Sequence, residues 1–198
     1  MKAVKILGLV LGIFILLGTI FYAYLGGFQT VTASKGIFES KEIIFYLHRG
    51  AYENLSESWD LFQKDWEKAG LKECASLGIY LDPPGTEDEK LRSILGCEIG
   101  MLSEEKKSEL KKHFKTFVIP KMEVLQSEFP FKNVLSFFVG PTKVYPKFAE
   151  IIKNESLETS VSIEVYGNST SQIETIYFYM PIGVSIEIFK PLIDAFEL

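Results

Sequence analysis

The chain opens on one unbroken apolar run and then settles into short alternating and helical periods. Ile6 to Leu25 carries no charge over 20 residues, the length at which a helix crosses a hydrocarbon core of roughly 30 Å. Tyr22, Tyr24 and Phe28 fall where such a helix meets the far interface, a layer that amphipathic rings favour. Gly26 to Gly36 is small and polar and reads as a linker. The short apolar run Glu42-Ile43-Ile44-Phe45-Tyr46-Leu47 predicts a strand, and Leu55, Trp59, Phe62 and Trp66 recur at helical spacing with Asn54 or Ser56 as the cap. Gly70 ends that helix. Strands follow at Ala75–Leu81 and Ile94–Gly100, separated by the turn signal Asp82-Pro83-Pro84-Gly85.

Leu102 to Lys115 is rich in Glu and Lys and reads as a solvated linker helix. The earlier order then returns: a strand over Lys121–Phe131, a helix over Thr142–Asn154, and a hairpin of Val161–Tyr166 with Thr175–Met180. At an offset of 86 residues Trp59 falls on Tyr145, Phe62 on Phe148, Trp66 on Ile152, Tyr80 on Tyr166 and Phe45 on Phe131. Helix, hairpin and turn agree in register, so the economical reading is a duplicated βαββ unit behind one membrane helix, an α+β fold class.

Composition divides along the same line. Lys2 and Lys5 are the only charges before Lys35; setting them aside leaves 19 Lys and Arg against 26 Asp and Glu, a formal charge of −7 for residues 26–198. A domain of that sign repels phosphate backbones, which excludes direct nucleic-acid binding as the expected function. For the apolar run two readings stand. A membrane anchor suits its length, and the two lysines place the N-terminus in the cytoplasm and the domain on the other side, with a cytosolic domain as the alternative. A cleaved signal peptide is the second reading, since Val31 and Ala33 precede Ser34, although the run exceeds the usual apolar region of roughly 7–15 residues. Gly8 and Gly12 form a GxxxG pair that chance explains as well as helix packing.

Arg49-Gly50-Ala51-Tyr52, the Trp59–Trp66 helix, Gly78-Ile79-Tyr80-Leu81-Asp82-Pro83, Ile163-Glu164-Val165-Tyr166 and Met180-Pro181-Ile182, in this order and spacing, resemble the GyrI-like small-molecule-binding (effector-binding) superfamily. The resemblance implies a tandem βαββ fold with pseudo-twofold symmetry and a ligand cleft between the halves. The expected boundaries are an anchor at 1–27, a linker at 28–39, the GyrI-like domain at 40–182 (halves 40–100 and 117–182, linker helix 102–115) and a C-terminal extension at 183–198. The layout is also similar to that of a membrane-anchored member of the superfamily, a selective ER-autophagy receptor. Here Phe189-Lys190-Pro191-Leu192 lacks a flanking acidic run and no long acidic tail follows, so the autophagy role is not carried over.

Strand alternation puts Ser162, Glu164 and Tyr166 on one face and Ile163 and Val165 on the other. With the apolar face against the helices, Glu164 and Tyr166 point into the cleft, joined by Gly78, Tyr80 and Asp82 from the first half and by Tyr177 and Tyr179 from the hairpin partner. Tyr52 and Trp59 are candidates for its rim. A half-enclosed carboxylate ringed by tyrosines suits an organic cation, and the resemblance implies that Glu164 matches the acidic position in the family's ligand cleft. The plainer reading is a solvent-facing Glu on an open sheet.

Glu164 also suits a general acid or base if burial raises its pKa, as in superfamily members that resemble hydrolases. No nucleophile elbow, P-loop or zinc-ligand cluster accompanies it, so no catalytic residue, metal or cofactor is assigned. The functions in play are binding of a small amphipathic or cationic ligand or of a protein partner, hydrolysis through Glu164, and an adaptor that binds no ligand. His48 and His113 are isolated and read as structural or solvated. Cys74 and Cys97 lie near facing ends of the first hairpin, either as a cross-strand bridge or as two buried thiols. Asn54, Asn154 and Asn168 each begin an N-x-Ser/Thr sequon.

Overall fold

The structure, a computed structural model, describes residues 2–83, 85–167 and 173–197; Pro84 of the predicted turn and the Asn168 sequon lie outside the described residues. Helix α1 (Lys2–Tyr24) is apolar along most of its length, and none of its stretch Val4–Tyr24 is buried in the domain. Its length and composition suffice to cross a membrane.

The chain then enters the domain at once. Leu25 and Val31 are buried, the Ser127 hydroxyl donates to the Thr32 carbonyl at 2.8 Å, and Ser34–Phe38 forms strand β1. The expected 28–39 linker is therefore largely part of the fold. Its small and polar residues concealed Val31 and Phe38, two apolar anchors that find partners far along the chain.

Strands β2 (Lys41–Arg49), β3 (Ala75–Tyr80) and β4 (Arg92–Glu98) with helix α2 (Leu55–Lys68) make the first half. Strands β6 (Met122–Pro130), β7 (Ser162–Val165) and β8 (Thr175–Pro181) with helix α4 (Ser136–Glu155) make the second. Each βαββ unit is led by a further short strand, β1 or β5 (Lys115–Ile119), and these two are exchanged. β1 pairs with β6 and β5 with β2, so each half completes the sheet of the other. Among the described residues the result is one curled antiparallel sheet of eight strands, ordered β1-β6-β8-β7-β3-β4-β2-β5.

The halves meet where β3 pairs with β7, with Gly78 opposite Glu164. These are equivalent positions of the duplication, so the pseudo-twofold axis passes through that pair. The β2–β6 equivalence differs from the one read in the sequence. Both strands have nine residues, which matches Phe45 with Gln126, while Phe131 lies beyond the end of β6. The offset of 86 holds for helices and hairpins, whereas β2 and β6 are offset by 81, because α4 has about one more turn at its start than α2.

The charged 102–115 segment is also more embedded than its composition predicts. Helix α3 spans only Glu104–Leu110, and Leu110 and Phe114 are buried beside Phe62, Trp66 and Ile44. Lys107 is buried with them, its ammonium 2.9 Å from Glu104 and 3.4 Å from Glu42. Three apolar or aliphatic contacts suffice to pin so short a helix. Its start is capped by Ser103, whose hydroxyl accepts from the Lys106 amide at 3.3 Å. Ser103→Ala is expected to lower stability by about 1 kcal/mol, the usual worth of such a cap, and a chemical-denaturation midpoint shows it. At α2 the cap position falls to Asn54, but without a side-chain bond, because a 3-10 turn over Tyr52–Asn54 leads into the helix.

Both helices cover one face of the sheet. Phe62 and Trp66 of α2 pack on Ile44, Leu95 and Cys97; Val144 and Phe148 of α4 pack on Leu125, Phe129, Ile176 and Phe178. The opposite face carries Ile43, Phe45, Leu77, Ile79, Ile94 and Ile163. It is covered by the C-terminal segment, through Phe189 and by helix α5 (Lys190–Asp194) through Leu192. The expected C-terminal extension thus closes the second face of the sheet.

Candidate functional site

The pleat of β7 sends Glu164 to the helix-covered face, between two apolar neighbours that point the other way. The carboxyl is buried at 5% exposure. Its partners are phenols. Tyr145 of α4 donates to Oε1 at 2.6 Å, and Tyr166 donates to Oε2 at 3.3 Å. The Tyr80 and Tyr166 hydroxyls meet at 2.7 Å; with the Tyr166 proton directed at Glu164, Tyr80 donates to Tyr166. Tyr80 and Tyr166 are equivalent residues of the two halves, so their hydroxyls join across the pseudo-twofold axis.

The symmetry is broken at one place that matters electrostatically. Gly78 stands where a second Glu164 would stand, so a single carboxylate occupies the axis instead of a mutually repelling pair. A side chain at 78 would also collide with this network, since its Cβ would lie 2.9 Å from the Tyr166 hydroxyl and 3.1 Å from that of Tyr80.

Aromatic rings line the seam between α2 and α4. Tyr166 is met edge-to-face by Trp59 at 6.0 Å and by Phe137 at 5.2 Å. Tyr52 meets Tyr80 at 5.2 Å while staying half open to solvent, and Phe178 meets Tyr145 at 5.8 Å. Burial away from water pushes Glu164 up to about 7, against the two phenol bonds that favour its ionised form. Burial, reinforced by the negative field of Glu164, holds Tyr80, Tyr145 and Tyr166 well above the ordinary phenol range. Tyr52 rises to about 12 for the same first reason, then through Asp82 and Glu164.

Of the residues nominated from sequence, the structure brings together Glu164, Tyr166, Tyr80, Tyr52 and Trp59. It does not bring in Tyr177 and Tyr179, which lie opposite Val165 and Ile163 and so on the other face; Tyr179 packs there on Phe38 at 5.1 Å. The expectation that the apolar face meets the helices is thereby reversed. Both faces are covered, and the more apolar one takes the C-terminal segment. Asp82 is engaged elsewhere, in a pair with Arg92 at 2.7 Å. Tyr145, Phe137 and Phe178 were missed. Tyr145 had a signal, because it is the duplicate of the nominated Trp59.

No protein-family model matches the chain, and no curated protein matches it. Solved structures do match. The EcmrR C-terminal domain superposes with a TM-score of 0.56 at 10% identity, over 78% of this chain and 99% of that one. EcmrR in its DNA complex gives 0.56 at 12% identity, over 90% and 69%. SAV2435 bound to tetraphenylphosphonium gives 0.52 at 13% identity, over 79% and 96%. The chain shares its fold with these three structures. In this fold the covered carboxylate sits on the axis of the duplication, under the seam of the two helices.

His48 is buried, its Nδ1 2.8 Å from the Ser58 hydroxyl and its Nε2 3.3 Å from the Ala51 carbonyl, which fixes the entry to α2. His113 is exposed. Among the described residues no group of His, Cys, Asp and Glu is arranged to hold a metal.

Proposed function

We propose that the chain is a membrane-anchored binding protein whose α2–α4 seam takes a small amphipathic or cationic molecule, with Glu164 as its counter-ion. The observation that carries this reading is a buried carboxylate whose hydrogen-bond partners are the Tyr145 and Tyr166 hydroxyls, with Trp59 and Phe137 edge-on to the Tyr166 ring. A carboxylate held so is costly to ionise unless a cation joins it. Aromatic faces attract such a cation and displace its hydration shell with apolar contact. The similarly folded SAV2435 is seen with tetraphenylphosphonium, which supports a lipophilic cation as the ligand class. Entry requires Tyr52, Trp59 or Phe137 to swing aside, since these rings cover the network.

The test is a titration of the full chain in detergent with tetraphenylphosphonium, followed by tryptophan emission in a Trp66→Phe background, which leaves Trp59 as the one tryptophan. Affinity is expected to rise with pH up to about 7, as Glu164 ionises, and to fall at least about tenfold in Glu164→Gln. Saturable binding that ignores both pH and the substitution would remove Glu164 from the site, and no binding across a panel of lipophilic cations would sink the reading.

The raised pKa of Glu164 also favours a second reading, a general acid or base in hydrolysis of a small molecule. Turnover abolished in Glu164→Gln with the fold intact would establish it. For the anchor, α1 supplies the length. Lys2 and Lys5 before the span, with the Cys74–Cys97 disulfide in the domain, support placement of the domain on the non-cytoplasmic side. In that location the exposed sequons at Asn54 and Asn154 are candidates for glycosylation in a host that carries it out.

A further inference from the structure

We propose that the domain stands on the bilayer through a second contact, the apolar first turn of α4, which dips into the headgroup layer beside α1. This rests on the reading of α1 as a membrane anchor. Val134, Leu135 and Phe138 are 66%, 39% and 61% exposed. The Phe138 amide bonds the Leu135 carbonyl and the Phe137 amide bonds that of Val134, so a tight turn leads from Val134 through the cap residue Leu135 into α4. Positions 134, 135 and 138 then share one side of it. On a domain whose polar residues otherwise face water, three adjacent large apolar side chains call for a partner.

The place of this turn identifies the partner as lipid. One phenyl ring separates the following turn of α4, at Gly140, from the end of the anchor. A Cβ on Gly26 would lie 3.0 Å from Cζ of Phe129, and a Cβ on Gly140 would lie 3.2 Å from Cδ1 of the same ring. Gly26 is two residues beyond the end of α1, and Gly140 is in the second turn of α4. The connection has no slack, because Leu25 and Val31 are buried and β1 begins at Ser34. The height of α4 above the membrane is therefore set by packing, not by a tether. Tyr24, the last residue of α1, and Phe28 stay exposed, and Phe28 stands edge-on to Tyr22 at 5.1 Å. Aromatic rings at the end of a span are typical of the interface.

The duplication supplies an internal control. In the first half the five residues between β2 and α2 are Gly50-Ala51-Tyr52-Glu53-Asn54, where Tyr52 is the one large aromatic or aliphatic side chain, and they lie at the opposite ends of the strands. Helix α2 begins only at Leu55, so α4 is longer at its start by about one turn. The added turn, with its apolar side, occurs only in the half that adjoins α1. Phe137 within it also packs on Tyr166, so the bilayer contact borders the lid of the Glu164 site.

The test uses the full chain in phosphatidylcholine–phosphatidylglycerol vesicles, with an environment-sensitive fluorophore on Ile13→Cys, Val134→Cys, Phe138→Cys or Glu89→Cys. Cys74 and Cys97 are bonded to each other and buried, so the label reaches the introduced thiol. Glu89 lies in the loop at the far end of β3. Nitroxide lipids are expected to quench labels at 13, 134 and 138 by about half or more, as for groups buried roughly 5–10 Å into the interface, and to leave 89 unchanged. Quenching at 13 with 134 and 138 behaving like 89 overturns the proposal and leaves the anchor standing. No quenching at 13 overturns the anchor and the proposal together. Equal quenching at all four positions overturns the proposal by showing unoriented adsorption.

Discussion

Glu164→Gln should make the domain more stable above neutral pH by about 3 kcal/mol and erase most of its pH dependence between pH 4.5 and about 7. In the unfolded chain the carboxyl releases its proton near 4.5, whereas in the folded domain burial holds it to about 7. Below 4.5 both states are protonated and the group contributes no penalty. Between the two values the unfolded state binds fewer protons than the folded one, so stability falls as pH rises. Above about 7 both are ionised and the penalty is complete. Each pKa unit corresponds to about 1.4 kcal/mol, which sets the size. Glutamine keeps an acceptor for Tyr145 and carries no charge, so the penalty goes while the packing stays. Denaturant midpoints of wild type and variant at about pH 5 and about pH 8 decide it. Parallel profiles would show that the carboxyl is hydrated and that the site opens to water in the free protein.

The same numbers bear on the proposed binding of a cation. A cation entering the seam recovers part of a cost already present in the fold, so the ligand-free state is poised against its own site. Stabilisation of wild type by tetraphenylphosphonium should accordingly exceed that of Glu164→Gln, and by more at high pH than at low.

The helices and hairpins were legible because each carries a period: Trp59, Phe62 and Trp66 at spacings of three and four, and alternation along Ile163-Glu164-Val165. What escaped is what depends on partners distant in sequence. β1 and β5 are five residues each and find their registers only on β6 and β2 of the opposite half. Neither Ser34–Phe38 nor Lys115–Ile119 shows a burial pattern strong enough to announce a strand. The acidic and basic side chains of α3 likewise conceal Leu110 and Phe114, whose burial follows from docking on α2.

The site divides along the same line. Glu164, Tyr166 and Tyr80 were found because the duplication places them at matched positions on paired strands. Which face they occupy was not legible, because it depends on what covers each side of the sheet. An apolar face and a mixed face are both compatible with helices above. The C-terminal Phe189 and Leu192 settle the matter by taking the apolar face, and that reassigns Tyr177 and Tyr179 away from Glu164. Tyr145 reaches the carboxylate from α4, as the duplicate of Trp59 would be expected to do from its own helix.

Replacing both Cys74 and Cys97 by alanine should cost about 3 kcal/mol and lower the unfolding temperature by about 6–12 °C. The bond spans 23 residues and joins the start of β3 to β4, with Cα atoms 5.5 Å apart, inside the usual range for a bridge. Loop closure of that length removes roughly this much free energy's worth of freedom from the unfolded chain. The residues it encloses include β3, the partner of β7, so the bridge constrains the strand on which Gly78 and Tyr80 stand. Alanine at both positions leaves no lone buried thiol, which separates loss of the bond from new chemistry. Calorimetry of the two proteins in detergent measures the difference. Thiol labelling of wild type unfolded without reductant bears on location as well. Protection of both cysteines in protein taken from its native membrane is expected for the proposed non-cytoplasmic placement of the domain, whereas two free thiols would remove the disulfide as support for that placement.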